Sequence, residues 1–137
     1  MEIELSRDLI LMISKIFFAA VGAVLFLQSG FDKISDRKGN LEWLTGHFSK
    51  SILNGYVPFL LSIITFLEVI SGFLCVIAIA GLLFNKVIFT YPMAMMLCLA
   101  SLLCLFTGQR LAKDYAGAAS LMPYFLIFAF GLLLLLV

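Results

Sequence analysis

The stretch VPFLLSIITFLEVISGFLCVIAIAGLLF, residues 57–84, decides the fold of this chain, and its single charged residue is Glu68. A helix rises about 1.5 Å per residue, so about 20 apolar residues cross a hydrocarbon core of about 30 Å. We therefore predict that residues 57–84 form a membrane-spanning helix. A carboxylate deep in the bilayer costs about 2.5 kcal/mol or more unless it faces other helices or finds a partner. Glu68 is accordingly the first candidate for a functional residue.

The composition points to the same environment. The chain has 137 residues, of which 64% are hydrophobic and 12% are charged, whereas charged residues make up about 25% of an average soluble protein. This length and composition predict one integral membrane domain over residues 1–137, in contact with the lipid bilayer. A net charge of +1 provides no clustered basic face, which argues against nucleic-acid binding.

Three further apolar stretches complete the predicted fold. The predicted spans are residues 9–33, 57–84, 87–107 and 116–137, with approximate bounds, and each is long enough to cross the bilayer. The link Asn85-Lys86 is so short that the second and third spans must be antiparallel neighbours. The predicted fold class is all-α, an integral membrane antiparallel four-helix bundle. Both termini then lie on one side of the membrane, and the two polar loops lie on the other.

The polar connection between the first two spans carries apolar residues at helical spacing, including Leu41, Leu44 and Phe48. We predict a short interfacial helix over about 41–53, with Asn40 as its N-cap and Trp43 at headgroup depth. The single histidine, His47, is interpreted as a solvated loop residue.

No cofactor-binding motif is recognisable. One histidine cannot supply paired axial haem ligands, and no second histidine is present for a metal site, so no metal is predicted. Cys75, Cys98 and Cys104 form no C-x-x-C pair, and this disfavours a quinone-coupled disulfide-forming enzyme. Cys98 and Cys104 are about 9 Å apart along one helix and cannot bridge each other.

Lysine and arginine residues near the span ends set the predicted orientation. The two polar loops carry more of these cations than the opposite side does, so the positive-inside tendency makes the loops cytoplasmic and both termini external. The loop cations are Lys33, Arg37, Lys38, Lys50, Arg110 and Lys113, against Arg7, Lys15 and Lys86 on the other side.

The predicted threading gathers polar residues at the loop side of the bundle. Glu68 and Tyr124 lie at similar depth, about 16 and 14 Å along their helices from the loop side, and Gln28 and Lys33 lie toward the surface. An intramembrane carboxylate below cations and hydrogen-bond donors is a candidate ligand or proton site. The alternative is a structural hydrogen-bond network that locks the helices together. The candidate residues are Glu68, Lys33, Gln28, Tyr124, Gln109, Arg110, Lys113 and Asp114.

The pattern Gly22-x3-Phe26-x3-Gly30-x2-Lys33 in the first span, followed by Glu68-x3-Gly72 in the second, resembles the DoxX-like membrane proteins. The resemblance covers almost the whole chain, but its motifs are short and rich in glycine. It implies a small membrane subunit of the prokaryotic cytoplasmic membrane, associated with quinol oxidation, sulfur-compound oxidation or oxidative-stress complexes. Lys33 and Glu68 match the family's charged positions, whereas residues 108–110 and 113–115 resemble a subgroup feature.

The leading hypothesis is therefore an accessory or anchoring subunit of a membrane oxidoreductase, with quinone contact near Glu68 and no redox cofactor of its own. Such a protein is a non-catalytic subunit rather than an enzyme by itself. A second hypothesis is a small proton-coupled transporter or channel-like homo-oligomer that uses Glu68. A third is a structural or assembly factor. Purification with native partners separates the first hypothesis from the others, and flux in liposomes separates the second from the third.

Overall fold

The computed structural model describes residues 6–86 and 89–137, and every regular element within these ranges is helical. The elements are α1 (Arg7–Ser35), α2 (Arg37–His47), α3 (Val57–Phe84), α4 (Thr90–Leu111), α5 (Tyr115–Ser120), α6 (Met122–Leu133) and a final 3-10 turn (Leu134–Leu136).

Four helical stretches are long and apolar enough to cross a membrane: Arg7–Ser35, Val57–Phe84, Thr90–Leu111 and Tyr115–Leu136. The chain is thus a small integral membrane protein. Helix α3 packs antiparallel against both α1 and α4. At the end opposite the polar loops, the Arg7 guanidinium donates to the backbone carbonyl of Val137 at 2.6 Å, which joins the start of α1 to the last turn. Large side chains such as Phe17, Phe66 and Phe130 point outward, where lipid tails replace water.

Small residues line the contact between α1 and α3. The buried face of α1 consists of Ala19, Gly22, Ala23, Phe26 and Gly30, which recur at spacings of three and four. A Cβ on Gly30 would lie 3.2 Å from the backbone nitrogen of Val69, and one on Gly72 would lie 2.9 Å from that of Leu27. Because backbone atoms cannot move aside as a side chain can, these two glycines set the close approach of the helices.

A short helix lies between the first two spans, but its bounds differ from the predicted 41–53. Helix α2 begins at Arg37 and ends at His47, and the residues that follow it form turns. Its N-cap is Asp36, whose carboxylate accepts from the Gly39 N–H at 3.1 Å. Asn40, predicted as the cap, lies within the helix, and its side chain donates to the Asp36 carbonyl. Asp36 is the N-cap because its carboxylate reaches the unpaired backbone N–H groups of the first helical turn.

The fourth span is divided, although a continuous helix was expected. Asp114 caps α5 by accepting from the Gly117 N–H at 2.9 Å, and the chain then breaks at Leu121 before α6. Pro123 explains the break, because it has no N–H to donate to the carbonyl four residues earlier and its ring crowds that carbonyl.

The predicted start of the third span, at residue 87, lies outside the described residues. Within them, α4 begins at Thr90 and places Pro92 in its first turn, where backbone N–H groups have no helical partner to lose.

Candidate functional site

Glu68 lies at the contact of α1 and α3 and forms an ion pair with Lys33. The Lys33 Nζ atom is 3.0 Å from Glu68 Oε2, and it donates to Oε1 at 3.4 Å. Ser29 completes the cluster, because its hydroxyl accepts from Lys33 at 2.8 Å and donates to Glu68 Oε1 at 3.0 Å. The carboxylate is 1% exposed and the lysine side chain is 15% exposed. Two of the predicted site residues, Lys33 and Glu68, therefore meet.

The two oxygens of Glu68 differ in their surroundings. Oε1 accepts hydrogen bonds from Ser29 and Lys33. Oε2 lies within ion-pair distance of Lys33 but outside hydrogen-bond geometry, and it has no hydrogen-bond donor among the described residues. A buried oxygen without a donor is uncommon in folded proteins, so the cluster has an unused acceptor.

A cavity of about 520 Å³ opens beside this cluster, between α2, α3, α4 and the end of α1. Its walls are mainly apolar and include Leu44, Phe48, Leu60, Ile64, Leu103 and Leu105. Polar side chains reach it from three residues, Lys33, Thr107 and Gln109. The Thr107 hydroxyl is already bonded to the Leu103 carbonyl. The polar character of the cavity is therefore concentrated at Lys33 and Gln109.

His47 holds the end of α2 against the end of α4. Its Nε2 atom lies 2.8 Å from Gln109 Oε1 and 3.6 Å from Asp114 Oδ2. The ring stacks on Trp43, with 4.6 Å between centroids. The interpretation of His47 as a solvated loop residue is wrong, because these partners leave only 18% of its side chain exposed. Helix α2 and Phe48 consequently cover one side of the cavity.

The remaining predicted residues are distributed around the cavity mouth or away from it. Gln109 and Asp114 meet at His47, whereas the Arg110 guanidinium lies 4.4 Å from the Tyr115 ring centre. Lys113 is exposed and adopts a positive φ of 58°.

Gln28 and Tyr124 do not reach Glu68. Both are exposed, and neither is among the hydrogen-bond partners of the carboxylate. The side chain next along α1, Ser29, occupies the place expected for Gln28. Its position four residues before Lys33, on the same helical face, was the sequence signal that could have identified it.

Comparison of the chain with protein-family models, with curated proteins and with solved structures gave no match. The resemblance to the DoxX-like proteins therefore stays a prediction. The molecule itself establishes a coarser description, that of a small integral membrane protein with four candidate spans and a buried Glu68.

Proposed function

We propose that this protein binds a lipid-soluble molecule with a neutral carbonyl head group, of the quinone class, in the cavity beside Lys33. The observation that carries the proposal is that Lys33, which contacts Glu68 and Ser29, lines a mainly apolar cavity of about 520 Å³. Cavities of this size and character hold small organic ligands, and a few polar groups fix their orientation.

The donors at the cavity favour a ligand that accepts hydrogen bonds. An ammonium group has three N–H donors, and Lys33 directs two of them to Ser29 and Glu68. The third remains for a ligand. Gln109 uses its carbonyl oxygen at His47, and its amide nitrogen has no partner among the described hydrogen bonds. Two donors from different helices, α1 and α4, suit a head group with carbonyl oxygens.

The charge balance favours a neutral head group over an anionic one. Lys33 and Glu68 compensate each other at 3.0 Å, so a bound carboxylate would bring a second negative charge without a free counter-charge. Burial of such an unpaired charge is strongly unfavourable. A quinone carbonyl has no net charge, and its alkyl or prenyl tail matches the apolar walls.

We further propose that the protein is an accessory subunit of a membrane oxidoreductase, of the DoxX-like kind. Support comes from the sequence pattern, because Gly22, Gly30 and Lys33 of α1 and Glu68 and Gly72 of α3 are its defining residues. The chain has no paired histidines for haem, so electron transfer is assigned to a partner subunit. We assign the cavity mouth to the cytoplasmic side because the loops at that end carry more lysine and arginine residues than the opposite side does.

The proposal is tested by titrating decyl-benzoquinone into the full chain in nanodiscs and following the fluorescence of Trp43, the single tryptophan. The double variant Lys33→Met/Glu68→Leu removes the head-group donor without leaving a buried charge. It should weaken binding about tenfold or more, because a hydrogen bond to a charged group contributes about 1.5–3 kcal/mol.

Two further variants serve as controls. Ile64→Phe fills the cavity while both charged residues are retained, and it should also weaken binding. Lys15→Met, at the other end of α1, should bind as the wild type does. Equal affinity in all variants would show that the quinone partitions into lipid only, and tighter binding of decanoate would contradict the choice of a neutral head group.

A further inference from the structure

A buried pair of thiols lies elsewhere in the bundle and plays no part in the proposed cavity. Cys75 of α3 and Cys98 of α4 have their Sγ atoms 3.6 Å apart, and both residues are 0% exposed. No sequence motif pairs them, since they belong to different spans and form no C-x-x-C motif. The antiparallel register of α3 and α4 brings them together, next to the Ser71–Ser101 contact of 3.0 Å.

Gly22 of α1 makes room for the two sulfur atoms. A Cβ at this position would lie 2.5 Å from Cys75 Sγ and 3.3 Å from Cys98 Sγ. The thiols therefore share a pocket at the junction of three helices, closed on one side by a residue without a side chain. The missing side chain of Gly22 therefore allows both sulfur atoms to occupy this junction.

We propose that Cys75 and Cys98 form a redox-active pair that a small, uncharged hydroperoxide converts into a disulfide. One thiol sulfur attacks a peroxide oxygen, the O–O bond breaks, and a sulfenic acid and one water form. The second sulfur attacks the sulfenic sulfur, the S–S bond forms, and the hydroxyl leaves as a second water with the remaining thiol proton. Two thiols are oxidised and one hydrogen peroxide is reduced to two waters.

The geometry favours a disulfide over further oxidation. A disulfide needs an S–S distance of about 2.0 Å, so rotation of the two short side chains has to bring the sulfur atoms about 1.6 Å closer. The second thiol is in contact with the sulfur that becomes the sulfenic acid, so it reacts with the sulfenic acid before further oxidation occurs. Complete burial excludes charged oxidants and soluble reductants, and it restricts the reaction to small molecules that cross the bilayer.

The third cysteine provides the matched control. Cys104 is exposed, so Cys104→Ser is expected to leave the fold intact and to leave only the two buried thiols. This variant is treated with hydrogen peroxide in nanodiscs. It is then unfolded in detergent in the presence of N-ethylmaleimide, and the mass of the intact protein is measured by mass spectrometry. The expected result is the loss of both maleimide adducts together with two hydrogen atoms, and dithiothreitol treatment before labelling should restore both adducts.

Either of two results would overturn the proposal. Both adducts persisting after peroxide treatment would mean that the thiols are inert packing groups. A mass increase by oxygen atoms without loss of two hydrogens would mean that the thiols oxidise separately. As a second check, Cys75→Ala in the same background should retain Cys98 as a single thiol, with no oxidant-dependent crosslink.

Discussion

Replacing Glu68 by leucine separates the energy of the ion pair from the packing around it. In Glu68→Leu, the Lys33 ammonium keeps a mostly buried position, with 15% of its side chain exposed, and it loses its counter-charge. Breaking a buried pair by removing one partner destabilises a protein by about 3–5 kcal/mol. Because Lys33 lies near the helix end and can reach toward water, we expect a loss of about 3 kcal/mol, at the lower end of that range.

Two companion variants make this test quantitative. Glu68→Gln retains an acceptor for Ser29 and Lys33 and should lose about 1–3 kcal/mol. Lys33→Met/Glu68→Leu removes both charges and should lie within about 1 kcal/mol of the wild type, because apolar replacement of a buried pair is often neutral. The free energy of unfolding is measured by detergent titration in micelles.

The double-mutant cycle decides the outcome. With Lys33→Met as the fourth member, the two charges should show a coupling energy of at least about 2 kcal/mol, within the range observed for contacting residues. If the losses of the two single variants simply add in the double variant, Lys33 and Glu68 do not interact. The reasoning from their 3.0 Å separation would then be refuted.

Three further predictions concern the helices that position the site. Gly72→Ala should destabilise the fold by about 1–3 kcal/mol in the same titration, because its Cβ meets the Leu27 backbone, whereas Gly46→Ala, with nothing within 4 Å, should not; equal effects would contradict the close contact of α1 and α3. Tyr91→Phe should cost about 0.5–1.5 kcal/mol through loss of the 2.6 Å hydrogen bond to the Gly131 carbonyl, and unchanged stability would mean that this bond is absent. His47→Ala should increase hydrogen exchange in α2 and the turns after it without loss of global stability, and unchanged exchange would show that His47 does not hold α2.

The features that sequence analysis predicted correctly depend on local patterns. Long apolar runs define the spans, and the pattern Gly22-x3-Phe26-x3-Gly30-x2-Lys33 lies along the face that α1 presents to α3. The same spacing places Lys33 and Gly30 on that face, and Glu68 is the single charge of its helix. The position of a residue along its helix was therefore enough to predict some of the polar residues at the site.

The features that the sequence did not predict depend on the direction of a side chain around its helix axis, or on contacts between segments that are distant in the sequence. A rise of about 1.5 Å per residue gives the depth of Gln28 and Tyr124, but not the direction of their side chains. The Cys75–Cys98 pair depends on the register between α3 and α4. His47 meets Gln109 across 62 residues, and no local pattern specifies such a contact.

Photolabelling tests the proposed binding site most directly. A decyl-benzoquinone that carries a photoreactive group on its ring is irradiated with the protein in nanodiscs, and the labelled residues are mapped by mass spectrometry. We expect labels on the cavity walls, at Leu60 or Ile64, and their loss in Lys33→Met/Glu68→Leu. Labels confined to outward-facing residues such as Phe66 and Phe130, equal in both proteins, would contradict the proposal.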